Sequence, residues 1–327
     1  METVFSGIQP TGELHVGNYF GAISTWADLQ EEHDCIYSVV DLHAITAQYE
    51  PQELRDSCID MVLTLLACGI DFERSILFIQ SDVKEHTELA WILNVVTSYG
   101  DLTRMTQFKE KSSNTDFVNA GLFNYPVLQA ADILLYQAAR VPVGEDQLQH
   151  LELTRRIARR FNGQYGEFFP EPEPIVGRGA RVMSLADPER KMSASDHPKH
   201  RIGLMESPDS IWEKVKSAVT DPGPEESSEM SPGVSNLFTL LELNADDSTV
   251  ESFRKDYREG SLMYVDLKEA VYESLMETLE PIQKKKQRLL NNKGEILSQL
   301  EDSTERARQI ASENMDEVRR LVGLIRG

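Results

Sequence analysis

Short apolar runs alternate with longer amphipathic segments in the first half of the chain. Apolar residues dominate Thr3 to Ser6, Cys35 to Val40 and Ser75 to Gln80, and this pattern predicts three buried parallel strands. Pro51 to Cys68 has helical periodicity with an acidic first turn, so it predicts a helix between the second strand and the third. This alternation is typical of an α/β fold with a Rossmann-like, doubly wound parallel sheet.

The chain after the third strand is predicted to be mainly helical. We interpret 85–123 as a helical insertion, in which the polar stretch 109–116 forms a loop. Val141 to Val143 predicts a further buried strand. A connection rich in Pro, Glu and Gly at 170–179 is predicted to lead into another strand at 181–185.

Helical periodicity dominates the chain beyond Ser207, interrupted by a linker of Pro, Ser, Gly and acidic residues at 221–233. We therefore predict two domains, a Rossmann-like catalytic domain at 1–195 and an all-helical domain at 196–327. A chain of 327 residues with 40% hydrophobic content has enough apolar surface for both.

Composition narrows the class of protein. The formal charge of −21 argues against indiscriminate nucleic-acid binding, although basic clusters at 155–160, 284–288 and 319–320 are either phosphate-binding surfaces or solvated helix faces. The apolar runs are too short to span a bilayer and the N-terminus lacks a signal-peptide pattern, so we expect a soluble, cytoplasmic protein without membrane contact. Three cysteines without a Cys-x-x-Cys pair predict buried free thiols rather than a disulfide framework.

Two separate segments contain groups that bind nucleotide phosphate. Pro10 to Asn18 contains the imidazole of His15 and a turn at Gly17 that leads towards a helix, where backbone N–H groups favour anionic oxygens. The second segment places Lys191 beside two serine hydroxyls, and such a cation can meet charge that develops on a transferred phosphoryl group. Each segment alone is compatible with a capped helix start or an exposed polar loop. As a pair they favour two walls of one ATP site.

Tyr125, Gln129 and Asp132 are spaced four and three residues apart, so they share one face of an otherwise apolar predicted helix. A buried carboxylate is costly unless it accepts hydrogen bonds. Asp132 therefore either accepts a hydrogen bond from a ligand in an apolar pocket, with Tyr125 and Gln129 at the ligand's polar end, or belongs to a polar network within the core.

Other polar groups also have a functional and a structural interpretation. The tetrapeptide 144–147 opens a predicted helix, where Asp146 suits a ribose hydroxyl pair or caps the helix. Lys109 and Lys111 either extend a cation over the site from the insertion or are surface lysines. The seven histidines show no metal-ligand signature, so we expect no protein-bound structural metal.

Ordered matches along essentially the whole chain resemble the bacterial-type tryptophanyl-tRNA synthetases, which are class I aminoacyl-tRNA synthetases. The matching stretches run from the first strand into the helical tail: Phe5-Ser6-Gly7-Ile8-Gln9-Pro10, Val40-Asp41, His43-Ala44-Ile45-Thr46, Met105-Thr106-Gln107-Phe108-Lys109, Ala130-Ala131-Asp132-Ile133-Leu134-Leu135-Tyr136, Val141-Pro142-Val143-Gly144-Glu145-Asp146-Gln147, Gly179-Ala180-Arg181, Ala218-Val219-Thr220-Asp221 and Gly233-Val234-Ser235-Asn236-Leu237. So many ordered matches favour the functional interpretation of each motif over its structural alternative.

The resemblance implies a two-step reaction, in which tryptophan attacks the α-phosphate of Mg²⁺-bound ATP and the acyl group then passes to the 3′-terminal adenosine of tRNA(Trp). It implies that Asp132 accepts the indole N–H and so determines specificity. The residues with an implied catalytic role are Lys191, Lys111, His15, Ser193 and Ser195. Those implied to bind ATP are Gln9, Thr11, Gly17, Asn18, Gly144, Asp146, Gln147, Val182 and Met192. Those implied to bind L-tryptophan are Phe5, Gly7, Gln9, Val40, His43, Gln107, Tyr125, Gln129, Asp132, Val141 and Val143.

Two positions depart from the family pattern. Ala194 stands where many relatives have a second lysine, so more phosphate contact falls to the remaining lysines. Gln129 stands where many bacterial relatives have methionine, and this substitution creates a pattern shared with tyrosyl-tRNA synthetases. A tyrosyl-tRNA synthetase is therefore one alternative. A non-catalytic synthetase paralogue that binds nucleotide or acts as a regulatory partner is another, suggested by the acidic composition and Ala194.

The resemblance also implies macromolecular partners. Members of the family work as homodimers, and we expect the insertion at 85–123 to form the dimer interface. We expect the helical C-terminal domain to contact the anticodon of tRNA(Trp), with the basic cluster at 284–288 as one candidate surface.

Overall fold

The computed structural model describes residues 1–113, 117–144, 147–176, 182–193, 197–220 and 230–325, and the side chains at 110–113 and 176 also lie outside this description. The chain divides into two compact units. Unit 1 consists of Met1–Thr11, Trp26–Gly177 and Asn292–Gly327, and unit 2 consists of Gly12–Thr25 and Arg178–Asn291.

A five-stranded parallel sheet organises unit 1, and it confirms the predicted doubly wound, Rossmann-like α/β fold. The strands are β1 (Thr3–Ile8), β2 (Asp34–Val39), β3 (Ser75–Ile79), β4 (Arg140–Val143) and β5 (Glu173–Val176), in the order β3-β2-β1-β4-β5. Strand β2 is buried at every position after Asp34, as expected for a strand covered on both faces. The strand order reverses between β1 and β4, and ligands of such sheets bind at this switch point, beyond the carboxyl ends of the strands.

Helices surround the sheet of unit 1. They are α3 (Asp41–Ala44), α4 (Pro51–Ala67), α5 (Glu85–Val96), α6 (Tyr99–Leu102), α7 (Thr106–Ser113), α8 (Ala120–Leu134), α9 (Leu148–Tyr165) and α14 (Lys293–Val322). Helices α5, α8 and α9 pack against one another and bury residues such as Leu93, Ile133 and Phe161 in one apolar core. This core holds α8, and with it the polar face predicted from the sequence, in a fixed position beside the sheet.

The structure corrects three predicted elements, two in unit 1 and one in unit 2. Strand β5 lies within 170–179, which was predicted to be a connection, because an edge strand tolerates residues such as Pro174 that lack a backbone N–H. No strand forms over the described part of 181–185, where Met183 makes only an isolated antiparallel bridge with Lys191. The predicted loop at 109–116 is helical as far as Ser113, since Lys and Glu are good helix formers even without an apolar face.

The last helix, α14, belongs to unit 1 rather than to the helical unit. Ser303 of α14 accepts a hydrogen bond from the backbone N–H of Leu77 in the edge strand β3, with a donor–acceptor distance of 2.9 Å. Arg306 donates to the carbonyls of Phe72 and Ser75 at 2.6 and 3.0 Å. The compact units therefore do not follow the predicted division at 195/196, because α14 covers a sheet edge whose polar backbone groups need partners.

Unit 2 is built from helices. They are α1 (Val16–Asn18), α10 (Pro208–Lys216), α11 (Pro232–Asn244), α12 (Asp247–Glu259) and α13 (Tyr264–Asn291), while a π-helical turn (Tyr19–Ile23) and α2 (Ser24–Leu29) follow α1 along the chain. Ser207, Ser231 and Asp246 cap α10, α11 and α12 by accepting backbone N–H bonds in the first turn. Helix α13 packs against α10 and α11 and buries Val271 and Leu275.

Three further properties follow from the described residues. None of their helices is long and apolar enough to cross a membrane. No group of three or more His, Cys, Asp or Glu side chains among them is arranged to hold a metal ion. The three cysteines are buried free thiols, as predicted.

Candidate active site

The first predicted phosphate-binding segment forms a tight bend into α1 in unit 2. The side-chain oxygen of Asn18 accepts a hydrogen bond from the backbone N–H of His15 at 3.1 Å, and Val16 donates its N–H to the carbonyl of Ile202 at 3.0 Å. A Cβ atom on Gly17 would lie 2.9 Å from Nδ1 of His15. Glycine at this position therefore lets the imidazole lie directly against the bend.

His15 is a neutral group at pH 7. Burial, followed by the positive charges of Arg201 and Lys191, lowers the pKa of His15 to about 4. Its Nδ1 atom is buried and makes no hydrogen bond to any of the described residues. His15 thus contributes a hydrogen-bonding nitrogen to this region rather than a positive charge.

The second predicted phosphate-binding segment lies beside the first. Met192 donates its backbone N–H to the carbonyl of Val182 at 3.1 Å, and both side chains are buried. The Cβ atom of Met192 would be 3.7 Å from a Cβ atom on Gly17. The structure therefore brings together the two segments that the sequence separates by more than 170 residues. Lys191 is exposed next to them, and Ser193 is half-buried.

Asn236 of α11 positions the second segment, a role that the sequence analysis did not assign. Its side-chain oxygen accepts the N–H of Met183 at 2.9 Å, and its amide donates to the carbonyl of Met183 at 3.0 Å. Met183 is bridged in turn to Lys191. Asn236 belongs to a stretch that matched the family, but an amide that binds backbone leaves no periodic pattern from which its role can be predicted.

Several predicted site residues cannot be placed. Asp146 and Ser195 lie outside the described residues. So do Ala194, where many relatives have lysine, and the side chain of Lys111 in α7. Their assigned roles stay predictions.

Many of the predicted tryptophan-binding residues lie in or directly after three neighbouring strands in unit 1. Phe5 and Gly7 lie in β1, Val40 directly follows β2, and Val141 and Val143 lie in β4. A Cβ atom on Gly7 would be 2.8 Å from Cγ1 of Val40, so β1 approaches the end of β2 too closely for a side chain. These residues flank the switch point of the sheet, where the fold places a ligand.

The predicted ATP-binding residues in unit 1 follow the same strands. Gln9 and Thr11 are exposed after β1, with Thr11 Oγ1 donating to Gln9 Oε1 at 3.5 Å. Gly144 follows β4 and accepts the backbone N–H of Gln147 at 3.0 Å.

Asp132 of α8 is the centre of a buried polar network. Its Oδ2 atom lies 2.7 Å from Nε2 of His43, and its Oδ1 atom lies 2.7 Å from Nδ1 of His86 and 2.6 Å from Nε2 of Gln80. Burial by itself raises the pKa of Asp132, but charge interaction and hydrogen bonding with the two histidines outweigh it and lower the pKa to about 2. The carboxylate is therefore ionised at pH 7 and can only accept hydrogen bonds. Of the two interpretations made from the sequence, the polar core network is present, and the contact with a ligand stays a prediction.

Tyr125 and Gln129 lie on the same helix as Asp132, as predicted. The hydroxyl of Tyr125 is 3.2 Å from Oε1 of Gln107 and 2.8 Å from Nε2 of the buried His150. Gln129 donates to Oε1 of Gln147 at 3.4 Å. The ring of Tyr125 also meets His43 edge-on, with 6.3 Å between centroids, so His43 links this group to Asp132.

Sequence reasoning missed four residues of these networks, Gln80, His86, Tyr136 and His150. Each is buried and polar, and each contacts a predicted site residue or its partner. The available signal was the presence of polar side chains within apolar helical patterns, but that signal does not identify their partners.

Many basic side chains of the predicted clusters form ion pairs within the protein or are buried. Arg155, Arg156, Arg159 and Arg160 form ion pairs with Asp101, Glu152 and Glu171. Lys286 is 9% exposed, so the candidate tRNA surface at 284–288 is reduced to Lys284, Lys285 and Arg288, because α13 turns Lys286 inward.

Comparisons with known proteins agree with this geometry. The model of the family "tRNA synthetases class I (W and Y)" matches residues 1–280. The tryptophan–tRNA ligase of Clostridium tetani is 46% identical over 99% of this chain and 96% of its own length. The structure is similar to tryptophanyl-tRNA synthetase from Mycoplasma pneumoniae, with a TM-score of 0.89 and 33% identity over 99% of this chain and 98% of that one. It is also similar to the enzyme from Campylobacter jejuni complexed with ADP and tryptophan, with a TM-score of 0.86 and 34% identity over 98% of this chain and all of that one.

Proposed function

Because the chain belongs to the class I tRNA synthetases of the tryptophan and tyrosine group, we propose that it is a tryptophan–tRNA ligase. An oxygen of the tryptophan carboxylate attacks the α-phosphorus of ATP, the bond to the β,γ-pyrophosphate breaks, and tryptophanyl-adenylate forms. The 3′-terminal ribose hydroxyl of tRNA(Trp) then attacks the activated carbonyl, and AMP leaves. Mg²⁺ enters with ATP as part of the substrate.

The residues of unit 2 suit the phosphate chemistry. The ammonium of Lys191 is exposed and can follow the negative charge that grows on the departing pyrophosphate. The neutral imidazole of His15 keeps one ring N–H, which can donate a hydrogen bond to a phosphate oxygen. The close approach of Gly17 to Met192 is the observation that carries this proposal. It joins two segments, each of which on its own would be a weak indication of phosphate binding.

The residues of unit 1 suit an amino acid with an apolar ring and a single ring donor. Phe5, Val141 and Val143 supply apolar surface, while Asp132 supplies an ionised acceptor. A site built around a ligand's N–H rejects analogues that lack it far more strongly than an apolar slot does. These features support tryptophan as the substrate.

Amino-acid-dependent exchange of labelled pyrophosphate into ATP tests the proposal. We expect exchange with L-tryptophan that exceeds exchange with L-tyrosine by several orders of magnitude, followed by charging of tRNA(Trp). Exchange with tyrosine alone would identify a tyrosyl-tRNA synthetase, the alternative suggested by Gln129. Absence of exchange with any amino acid would identify a non-catalytic paralogue.

We also propose that the protein acts as a cytoplasmic homodimer through the surface of the 85–123 segment. Trp91 and Val95, four residues apart on α5, are 74% and 70% exposed, and Tyr99 and Phe117 extend the apolar surface. Exposed apolar patches of this kind mark interaction sites. The second copy of the chain is the partner that the family resemblance implies.

Sedimentation equilibrium of the wild type and of Trp91→Glu tests the dimer. We expect a dimeric wild type and a monomeric, folded variant, because a charge at the centre of an apolar interface is desolvated on association. Met263→Glu is the matched control, since Met263 is 62% exposed on the other unit and its replacement should leave the dimer intact.

A further inference from the structure

The two oxygens of the Asp132 carboxylate have different surroundings. Oδ1 accepts hydrogen bonds from two side chains, His86 and Gln80, whereas the described donor to Oδ2 is His43. A carboxylate oxygen offers two lone-pair sites. Oδ1 is therefore saturated within the protein, and Oδ2 retains acceptor capacity for a further donor.

The ring of His86 is held in one orientation by a hydrogen-bond partner at each nitrogen. Because the ionised Asp132 can only accept, Nδ1 of His86 carries the proton that it donates to Oδ1. Nε2 of the same ring lies 3.0 Å from the hydroxyl of Tyr136, within hydrogen-bond distance. Burial, and after it the negative charges of Asp132 and Glu85, raise the pKa of Tyr136 far above its ordinary value, so its hydroxyl keeps the proton.

Packing prevents His86 from leaving this position. His86 is fully buried, and its ring lies 5.6 Å from the ring of Phe78 and 5.5 Å from that of Tyr136. Tyr136 in turn stacks on Phe5 with an interplanar angle of 9° and centroids 5.6 Å apart. The chain Tyr136–His86–Asp132 thus ends beside Phe5, one of the residues predicted to flank the indole ring.

We propose that His86, held by Tyr136, is a positioning residue for amino-acid selection: it saturates Oδ1 of Asp132 and so presents Oδ2 to the ring N–H of tryptophan. The inference rests on the proposed function and extends it to residues that do not touch the substrate. Without the bond from His86, Gln80 alone donates to Oδ1, so this oxygen regains acceptor capacity. Either oxygen can then accept the ring N–H, and the preference for one geometry is lost.

The test measures discrimination between L-tryptophan and β-(1-benzothiophen-3-yl)-L-alanine, its isostere with sulfur in place of the ring N–H. The readout is the ratio of kcat/KM for the two substrates in pyrophosphate exchange with the full chain. We expect His86→Leu to lower this ratio about tenfold, the scale of a lost hydrogen bond to a charged group. His86→Asn, whose amide can still donate towards Oδ1, should restore most of the discrimination.

Tyr136→Phe removes only the hydroxyl, so it keeps the test decisive if His86→Leu does not fold. We expect the ratio to fall about threefold, as for a neutral hydrogen bond. Tyr37→Phe is the matched control, because the buried hydroxyl of Tyr37 donates to the carbonyl of Trp26 at 2.7 Å, apart from the Asp132 network. This variant should keep the wild-type ratio.

The outcomes separate the two proposals. Suppose that the wild type exchanges with tryptophan, but Tyr136→Phe and His86→Leu lower kcat/KM equally for both substrates. His86 then has only a structural role, and this inference is overturned while the proposed function stands. If the wild type shows no exchange with tryptophan, the proposed function and this inference both fall.

Discussion

The predicted phosphate-binding segments of unit 2 and the Asp132 network of unit 1 are polar centres of opposite construction. In unit 2 the groups come from two short segments whose motifs can be recognised along the chain, and the cation Lys191 is exposed. In unit 1 a buried anion is held by donors from separate parts of the chain, His43, Gln80 and His86.

This difference agrees with what each centre is proposed to stabilise. Charge on a triphosphate develops during the reaction, so a cation that follows this charge must be able to move. Such a cation stays solvated when it is exposed, so its exposure costs little free energy. A carboxylate in an apolar core must be fully satisfied before any ligand arrives, because an unpaired buried charge is expensive. Loss of a group in unit 2 should therefore change rates, whereas loss of a group around Asp132 should change both selectivity and stability.

Lys191→Ala should have the largest effect. We expect the rate of tryptophan-dependent pyrophosphate exchange to fall by about 10²- to 10³-fold, as for other groups that stabilise developing charge. The KM for tryptophan and the unfolding free energy should change little, because Lys191 is exposed. Lys199→Ala, another exposed lysine of unit 2, is the control and should keep the wild-type rate. A loss of less than threefold for Lys191→Ala would contradict the contrast between the two centres.

Asp132→Asn should affect both properties. The amide of this variant would place an N–H group opposite side chains that donate to the Asp132 carboxylate. We therefore expect the unfolding free energy to fall by about 3 kcal/mol. Tryptophan activation should fall on the order of 100-fold, because the ionised acceptor is lost. Urea denaturation and pyrophosphate exchange measure the two effects.

Asp101→Asn provides the matched control for Asp132→Asn. Asp101 is also a buried carboxylate, paired with Arg104, Arg156 and Arg160, but it is not a predicted site residue. Its replacement should reduce stability without changing the preference for tryptophan. Equal loss of preference in both variants would mean that buried charge in general, rather than Asp132 itself, supports selectivity.

The pH dependence contributed by His15 should be the smallest effect. The folded pKa of His15 is lowered to about 4, so between its ordinary value near 6.5 and pH 4 the unfolded chain binds a proton that the folded chain does not. Acidification in this window therefore favours unfolding, and from pH 7 to pH 5.5 the cost is about 1 kcal/mol. The His15→Asn side chain cannot titrate in this range. Between pH 7 and pH 5.5 the unfolding free energy of this variant should therefore fall by about 1 kcal/mol less than that of the wild type. Identical pH dependence in the two proteins would show that His15 titrates normally.

Much of the fold was predictable because its main strands and helices have strong local patterns. The β1, β2 and β3 predictions agree with the structure to within two residues at each end, since buried parallel strands are nearly continuous apolar runs. Strand β5 was not predictable, because its Glu and Pro residues are tolerated only at a sheet edge. The assignment of α14 to unit 1 depends on contacts with Leu77 and Phe72, more than 200 residues away.

The candidate site also has features that the sequence predicted and features that required the tertiary structure. The sequence by itself determined the α/β class and the shared helix face of Tyr125, Gln129 and Asp132, and it predicted the two phosphate-binding segments, because each pattern lies within a short segment. Only the tertiary structure decided that His15 is neutral, that Asn236 holds the Lys191 segment, and that His86 and Gln80 saturate one oxygen of Asp132. Protonation and hydrogen-bond partners depend on burial and on distant neighbours, and neither is a property of a local pattern.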